Sequence, residues 1–251
     1  MQLMQVVLSS NVTRTVYPNT VRTADVAERA YAAGHFYHTV MSGNGGGINY
    51  DVVIRVAAKT ILPVLGAVQP VSKYAVLTVK NEQLQIMNAV PTAEGAIAIA
   101  MDELPVTLFE SNAVVIGYGR VAKLLAHRLT ALGAKVTVCA RREDDRAYAS
   151  AFGCNAVDFS LLGSALETAD VVFNSVPQHI IGEELYPRIN KNTPVIDLAS
   201  RPGGLDFERA KQYGLNVIWA LSLPGKAAPV TAGRIIAATL TKLLEGSENN
   251  A

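Results

Sequence analysis

Between residues 111 and 220 short runs of β-branched residues alternate with Ala- and Leu-rich stretches. AVVIG (113–117), AKVTVCA (134–140), AVDF (156–159), ADVVFNSVP (169–177), TPVIDLAS (193–200) and LNVIWAL (215–221) are apolar runs of strand length. Between the first two lies RVAKLLAHRLTALG (120–133), with Val121, Leu124, Leu125 and Leu129 at helical spacing and Gly133 where a C-terminal cap belongs. Strands and helices at this rhythm predict right-handed crossovers and a parallel sheet. The expected class is α/β, a doubly wound Rossmann domain for NAD(P), with a second, smaller α/β domain at the N-terminus.

Outside that stretch the pattern is less regular. QVVLSS, VVIRVAA and KYAVLTV (73–79) are predicted strands, and TADVAERAYAAG (23–34) is a predicted helix. PTAEGAIAIAMDEL (91–104) is predicted as a helix with Thr92 as N-cap and Glu94 in its first turn. TAGRIIAATLTKLLEG (231–246) is predicted as an amphipathic helix capped by Thr231. The expected domains are residues 1–95, closed by helix 231–246, and residues 96–230, the nucleotide-binding unit.

The chemistry concentrates at predicted strand ends. Gly117-Tyr118-Gly119-Arg120-Val121-Ala122 follows the first strand and opens a helix. Gly117 permits a tight turn, Gly119 leaves room for a pyrophosphate, and Ala122 lets helix and sheet approach. The helix start, with its free N–H groups and dipole, then holds the phosphates. An NAD site usually carries an acid at the end of the second strand, but this one reads Cys139-Ala140-Arg141-Arg142. Arg141 and Arg142 suit a 2′-phosphate, which favours NADP over NAD. The fourth strand ends Asn174-Ser175-Val176-Pro177, at the edge that faces the nicotinamide half of such a cofactor.

Two glycine- and proline-rich segments follow the fifth and sixth strands, each with one strong cation, Arg201 and Lys226. Such cations suit a carboxylate substrate. Asn88, Thr92 and Thr231 are further candidates for contacting it. Glu94 and Lys226 are the candidate acid–base groups.

Composition narrows the classes. The chain has 251 residues, 22 Lys+Arg against 21 Asp+Glu, 50% hydrophobic and 17% charged residues. That is a core-rich composition, and the charge balance argues against a dedicated nucleic-acid binder. Two cysteines, Cys139 and Cys154, are too few for a disulfide framework and fit a reduced, cytosolic setting. No apolar run reaches the ~18 residues of a membrane span. There is no Cys-x-x-Cys or His-Glu-x-x-His motif, so no zinc site is expected. His35 and His38 lack a carboxylate partner, and GNGGG (43–47) reads as a flexible turn.

The segments NAVPTAEGAIAIAM, VVIGYGRVA, LGAKVTVCAR, VFNSVP, VIDLASRPGG and SLPGKAAPVTAG occur in the order and spacing of the dipicolinate synthase A chain family. The chain resembles that family over about residues 81–245, and the pairing of DLASRPGG with LPGKxAPxTAG is its most specific feature. The resemblance implies an oxidoreductase that forms pyridine-2,6-dicarboxylate from a dihydro- or hydroxytetrahydro-dipicolinate, on a branch of the lysine pathway in sporulation. It implies the flavoprotein-like second subunit of dipicolinate synthase as partner and the mother-cell cytoplasm as location; a homo-oligomer is expected. Two other readings stay open on the residues: a dehydrogenase of another small acid, of the shikimate or methylenetetrahydrofolate type, and a nucleotide-binding regulatory protein with no turnover of its own.

Overall fold

The structure is a computed structural model, and it describes residues 81–248. The expected strands and helix between residues 1 and 80, GNGGG, His35 and His38 lie outside the described residues. The chain divides into two compact units, Asn81–Ala228 and Met1–Lys80 with Pro229–Ala251. The line falls at residue 80/81, where the sequence pattern suggested 95/96.

The first unit opens with α1, Glu82–Glu103. Asn81 caps it, its side chain accepting from Leu84 N at 2.8 Å, and Glu82 sits in the first turn, where the helix dipole favours an acid. The expectation of a helix starting at Pro91 is thereby corrected. Pro91 is buried inside α1 and Thr92 is no cap; its hydroxyl donates to Asn88 O at 2.8 Å. Glu94 consequently lies well past the first turn. Pro91 lacks the N–H of one helical bond, and a helix capped well upstream accommodates that defect within its length. Its inner face is built from Ala89, Ala93, Gly95, Ala96 and Ala100. Small side chains let neighbours come close, and a Cβ at Gly95 would stand 2.9 Å from Ala227 Cβ.

The sheet comprises β1 (Asn112–Ile116), β2 (Lys135–Cys139), β3 (Asn155–Val157), β4 (Val171–Asn174), β5 (Val195–Asp197) and β6 (Val217–Trp219). All pairings are parallel and the order is β3-β2-β1-β4-β5-β6. The strand period of two sends Ala113 and Val115 into one core and Val114 and Ile116 into the other. Both faces of the central strands β1 and β4 are thus buried, which is why these two read as nearly continuous apolar runs. On one face pack α1, α2 (Arg120–Ala131) and α3 (Glu143–Ala151). On the other lie α4 (Leu162–Glu167), the 3-10 turn Glu183–Arg188 and α5 (Phe207–Tyr213). Gly133, at φ +82°, follows the α2 C-cap as its position in the sequence suggested.

After β6 the chain forms a short helix, α6 (Leu223–Ala227), where a long loop was expected, so Lys226 sits in a helical turn. In the other unit α7 runs Pro229–Glu248. It begins two residues before the expected start: Pro229 occupies the first turn, where a missing N–H costs nothing, and Thr231 is an exposed residue of that turn, not its cap.

Candidate coenzyme site

The strand order reverses between β1 and β4, and in open α/β sheets the carboxyl ends of the strands at that point form the ligand crevice. Gly117 leaves β1 there at φ +91°, a conformation that side chains disfavour. Its N–H donates to Cys139 O at 2.8 Å, and a Cβ would lie 2.6 Å from Ser175 Oγ and 2.9 Å from Val176 Cγ2. Gly117 is therefore a packing requirement between the β1 and β4 ends.

Gly119 has a different reason. It is the N-cap of α2, at φ −82° and ψ −165°, which any residue can adopt. A Cβ there would meet nothing within 4 Å. No side chain caps this helix start, and no acid stands in its first turn. Uncapped amides, open space where a side chain would stand and the positive end of a 12-residue helix form an anion cradle. Such a cradle could hold a phosphate group. Val121 and Ala122 share that first turn, with Ala122 buried against the sheet. The Arg120 side chain is turned to Glu82 in a two-point ion pair at 2.7 and 2.6 Å, while its backbone N–H belongs to the cradle.

The β4 and β5 ends are tied to one another. Asn174 and Asp197 are buried, and Asn174 Nδ2 donates to Asp197 Oδ1 at 3.0 Å and to Val176 O at 3.0 Å. Val176 N donates back to Asn174 Oδ1 at 3.0 Å. Asp197 also accepts from Ala199 N (2.8 Å) and Gly204 N (2.6 Å). Burial pushes the Asp197 carboxyl up from its ordinary value, against the pull of those donors. A Cβ on Gly204 would run into the Asn174 amide, which accounts for the second glycine of the Pro202-Gly203-Gly204 turn. Ser175 is half-buried, its hydroxyl donating to Ile116 O at 2.9 Å, and Pro177 is exposed just beyond. Asp197 was the residue missed from sequence: an acid ending an apolar strand beside a glycine pair was the available signal.

Of the candidate substrate groups, Arg201 lies with its guanidinium 5.4 Å from the Trp219 ring centre. Trp219 stacks on Phe207 at 4.4 Å and donates to Ala199 O at 3.0 Å, so the arginine rests on a fixed platform. Lys226 is exposed on α6, and α6 packs at Gly95 of α1. Asn88 and Thr92 are half-buried on α1. Glu94 departs from the expected placement. It is exposed and 3.5 Å from Arg128 in the last turn of α2, about 12 Å of helix from Arg120. That sets Glu94 toward the end of α2 remote from the glycine turn and takes it away from acid–base work there.

Beyond β2, Arg141 and Arg142 are both exposed. Among the described residues no cluster of three or more His, Cys, Asp or Glu could hold a metal, and no helix is long and apolar enough to cross a membrane. Cys139 and Cys154 are free and buried, and burial pushes the Cys139 thiol up to about 12.

The family model of the D-isomer specific 2-hydroxyacid dehydrogenase NAD binding domain matches residues 87–201. The dipicolinate synthase A chain of Bacillus subtilis (strain 168) is 35% identical over 165 residues, which are 66% of this chain and 56% of that protein. The chain thus spans little more than half the length of this curated relative. The crystal structure of the dipicolinate synthase A chain from Bacillus halodurans superposes with a TM-score of 0.65 at 35% identity, covering 71% of this chain and 64% of that one. The A chain from Bacillus subtilis gives 0.68 at 30%, covering 74% and 65%. The described domain is therefore a dehydrogenase-type, NAD-binding Rossmann domain similar in sequence and structure to its counterpart in the dipicolinate synthase A chain.

Proposed function

We propose that the chain is an NADP-preferring oxidoreductase that forms dipicolinate from a dihydro- or hydroxytetrahydro-dipicolinate. The observation that carries the coenzyme half is the uncapped start of α2 with clear space at Gly119, just past Gly117, which packs on Ser175 and Val176 at the switch point. The likeness to the dipicolinate synthase A chain supports the choice of substrate.

When bound, NADP supplies the hydride acceptor. The backbone amides of Arg120, Val121 and Ala122 at the open turn of Gly119 would hold its diphosphate, with Gly117 setting the bend, and Asn174, Ser175, Val176 and Pro177 would shape the wall beside its nicotinamide. Arg201 on its Trp219 platform and Lys226 would neutralise the two ring carboxylates, with Asn88 and Thr92 as candidate hydrogen-bonding groups. The hydride goes to the nicotinamide and the accompanying ring proton to water, because an ammonium paired with a carboxylate has no lone pair to accept it. Aromatisation drives the reaction, so orientation and charge placement are the protein's main contributions. A flavoprotein-like partner, a homo-oligomeric state and the cytoplasm of a spore-forming mother cell complete the reading.

The test is dihydrodipicolinate-dependent reduction of NADP by the purified full chain, first by itself and then with the flavoprotein-like partner. Turnover without the partner is expected. Turnover only in its presence would overturn that expectation and assign a shared site; none under either condition would defeat the substrate assignment. Trp219 is the sole tryptophan, so dipicolinate binding at Arg201 should change intrinsic fluorescence even without coenzyme.

A further inference from the structure

The loop after β2 carries two arginines that the sequence treats alike, but their surroundings separate them. Arg142 is the N-cap of α3, whose first turn holds Glu143, Asp144 and Asp145. Its guanidinium lies 3.3 Å from Asp144 and 4.0 Å from Asp145. Lys123 adds a second cation 3.6 Å from Asp145. Arg142 is thus engaged in balancing an acidic helix start. Arg141 makes no side-chain hydrogen bond or ion pair among the described residues, and its side chain is exposed at the loop tip.

The backbone beneath Arg141 is held from below. Arg146, one turn into α3, brings its Nη1 within 2.9 Å of Ala140 O, 2.8 Å of Arg141 O and 3.1 Å of Asp158 Oδ2. Asp158 follows β3, and its other oxygen accepts from Ser160 N at 3.0 Å. Ala140 N donates to Val157 O at 3.0 Å, so the loop is also tied to β3 through its backbone. A guanidinium bridging two successive carbonyls fixes the peptide between them, and that peptide sets the direction in which the Arg141 side chain leaves. The Arg146 side chain is three-quarters covered and its partner half exposed, so the contacts are shielded on one side only.

We propose that Arg146 and Asp158 form a clamp that positions Arg141, and that Arg141, not Arg142, is the group that grips the 2′-phosphate of the coenzyme. Arg146 is a positioning residue: it acts through the Ala140 and Arg141 carbonyls and does not itself touch the coenzyme. This inference rests on the reading that NADP occupies the cradle at Gly119, and it adds which residues choose NADP over NAD.

The test measures dissociation constants for NADPH and NADH on the full chain, by enhancement of reduced-nicotinamide fluorescence, with thermal melting of each variant alongside. The wild-type chain should prefer NADPH by roughly 10- to 100-fold, as a charge-assisted phosphate contact provides. Arg141→Ala should bring the two constants together, and Arg142→Ala should change their ratio less than about twofold. Arg146→Gln should lower the ratio at least about fivefold, with the NADH constant within about twofold of wild type, and Arg146→Lys should recover part of it. Should Arg146→Gln fail to fold, Asp158→Asn keeps the Ser160 bond and should lower the ratio by about twofold to threefold. An unchanged ratio in these clamp variants, or equal weakening of both coenzymes, would overturn the clamp while leaving the coenzyme reading intact. A wild-type chain that binds neither coenzyme would overturn the reading beneath it, and one that binds both equally would overturn the choice of NADP and the clamp together.

Discussion

The two sides of the crevice differ in how their polar groups are satisfied. On the β4–β5 side Asn174 and Asp197 lock the chain ends together, with the Asp197 carboxylate accepting from Asn174 Nδ2, Ala199 N and Gly204 N. Among the described residues no buried side-chain nitrogen or oxygen lacks a partner. On the β1 side the start of α2 has no side-chain cap, and Gly119 faces open space. One wall is closed on itself. The other keeps donors in reserve, as the proposed coenzyme site requires. A nucleotide-binding fold needs both, because a rigid wall aims what the open turn holds.

Substitutions should therefore separate the two kinds of effect. Asp197→Ala strips three donors of their acceptor, at about 1 kcal/mol or more each. A loss of roughly 3 kcal/mol is expected, read in calorimetry as a melting temperature lower by about 6–12 °C; a fall under about 2 °C would show that the β4–β5 lock is not structural. Gly117→Ala combines a left-handed backbone with a collision against Ser175 and Val176. It should cost roughly 1–3 kcal/mol in urea unfolding and weaken coenzyme binding as well, since the turn must shift. Glu82→Gln lies at the other extreme. Its ion pair with Arg120 is exposed, so melting should move by no more than about 1 °C. NADPH binding should tighten about twofold to fivefold, because a carboxylate beside the phosphate cradle has been neutralised. Weaker binding would mean that Glu82 organises the cradle.

The closed wall and the open turn were unequally legible in the sequence. Gly117 and Gly119 stood out because a strand, a bend and a helix follow within a few residues, so local pattern was enough. The central strands β1 and β4 were legible for the same reason, since burial on both faces makes each a nearly continuous apolar run, whereas β2 alternates with Lys135 and Thr137 and β3 opens on the exposed Asn155. Asn174 stood out as a strand end, but its lock to Asp197 did not, because that lock joins residues 174, 197 and 204 through space and the acid alone does not name its partners. The start of α1 was misread because Pro91 and Thr92 imitate a helix beginning, while Asn81 provides the actual cap outside any apolar periodicity. Glu94 followed that error: placed in a first turn it faces a ligand, whereas in mid-helix it faces Arg128. Arg141 and Arg142 looked equivalent for a similar reason, since only the fold brings Asp144 and Asp145 against one of them.

The most direct measurement is NADPH titration and thermal melting of Gly119→Val beside the wild-type chain. Gly119 has ordinary backbone angles and free space around a Cβ, so the variant should melt within about 1 °C of wild type. A side chain in the cradle should nevertheless weaken NADPH binding by roughly 100-fold or more. Equal NADPH affinity in the two proteins would contradict the placement of the coenzyme diphosphate at this turn.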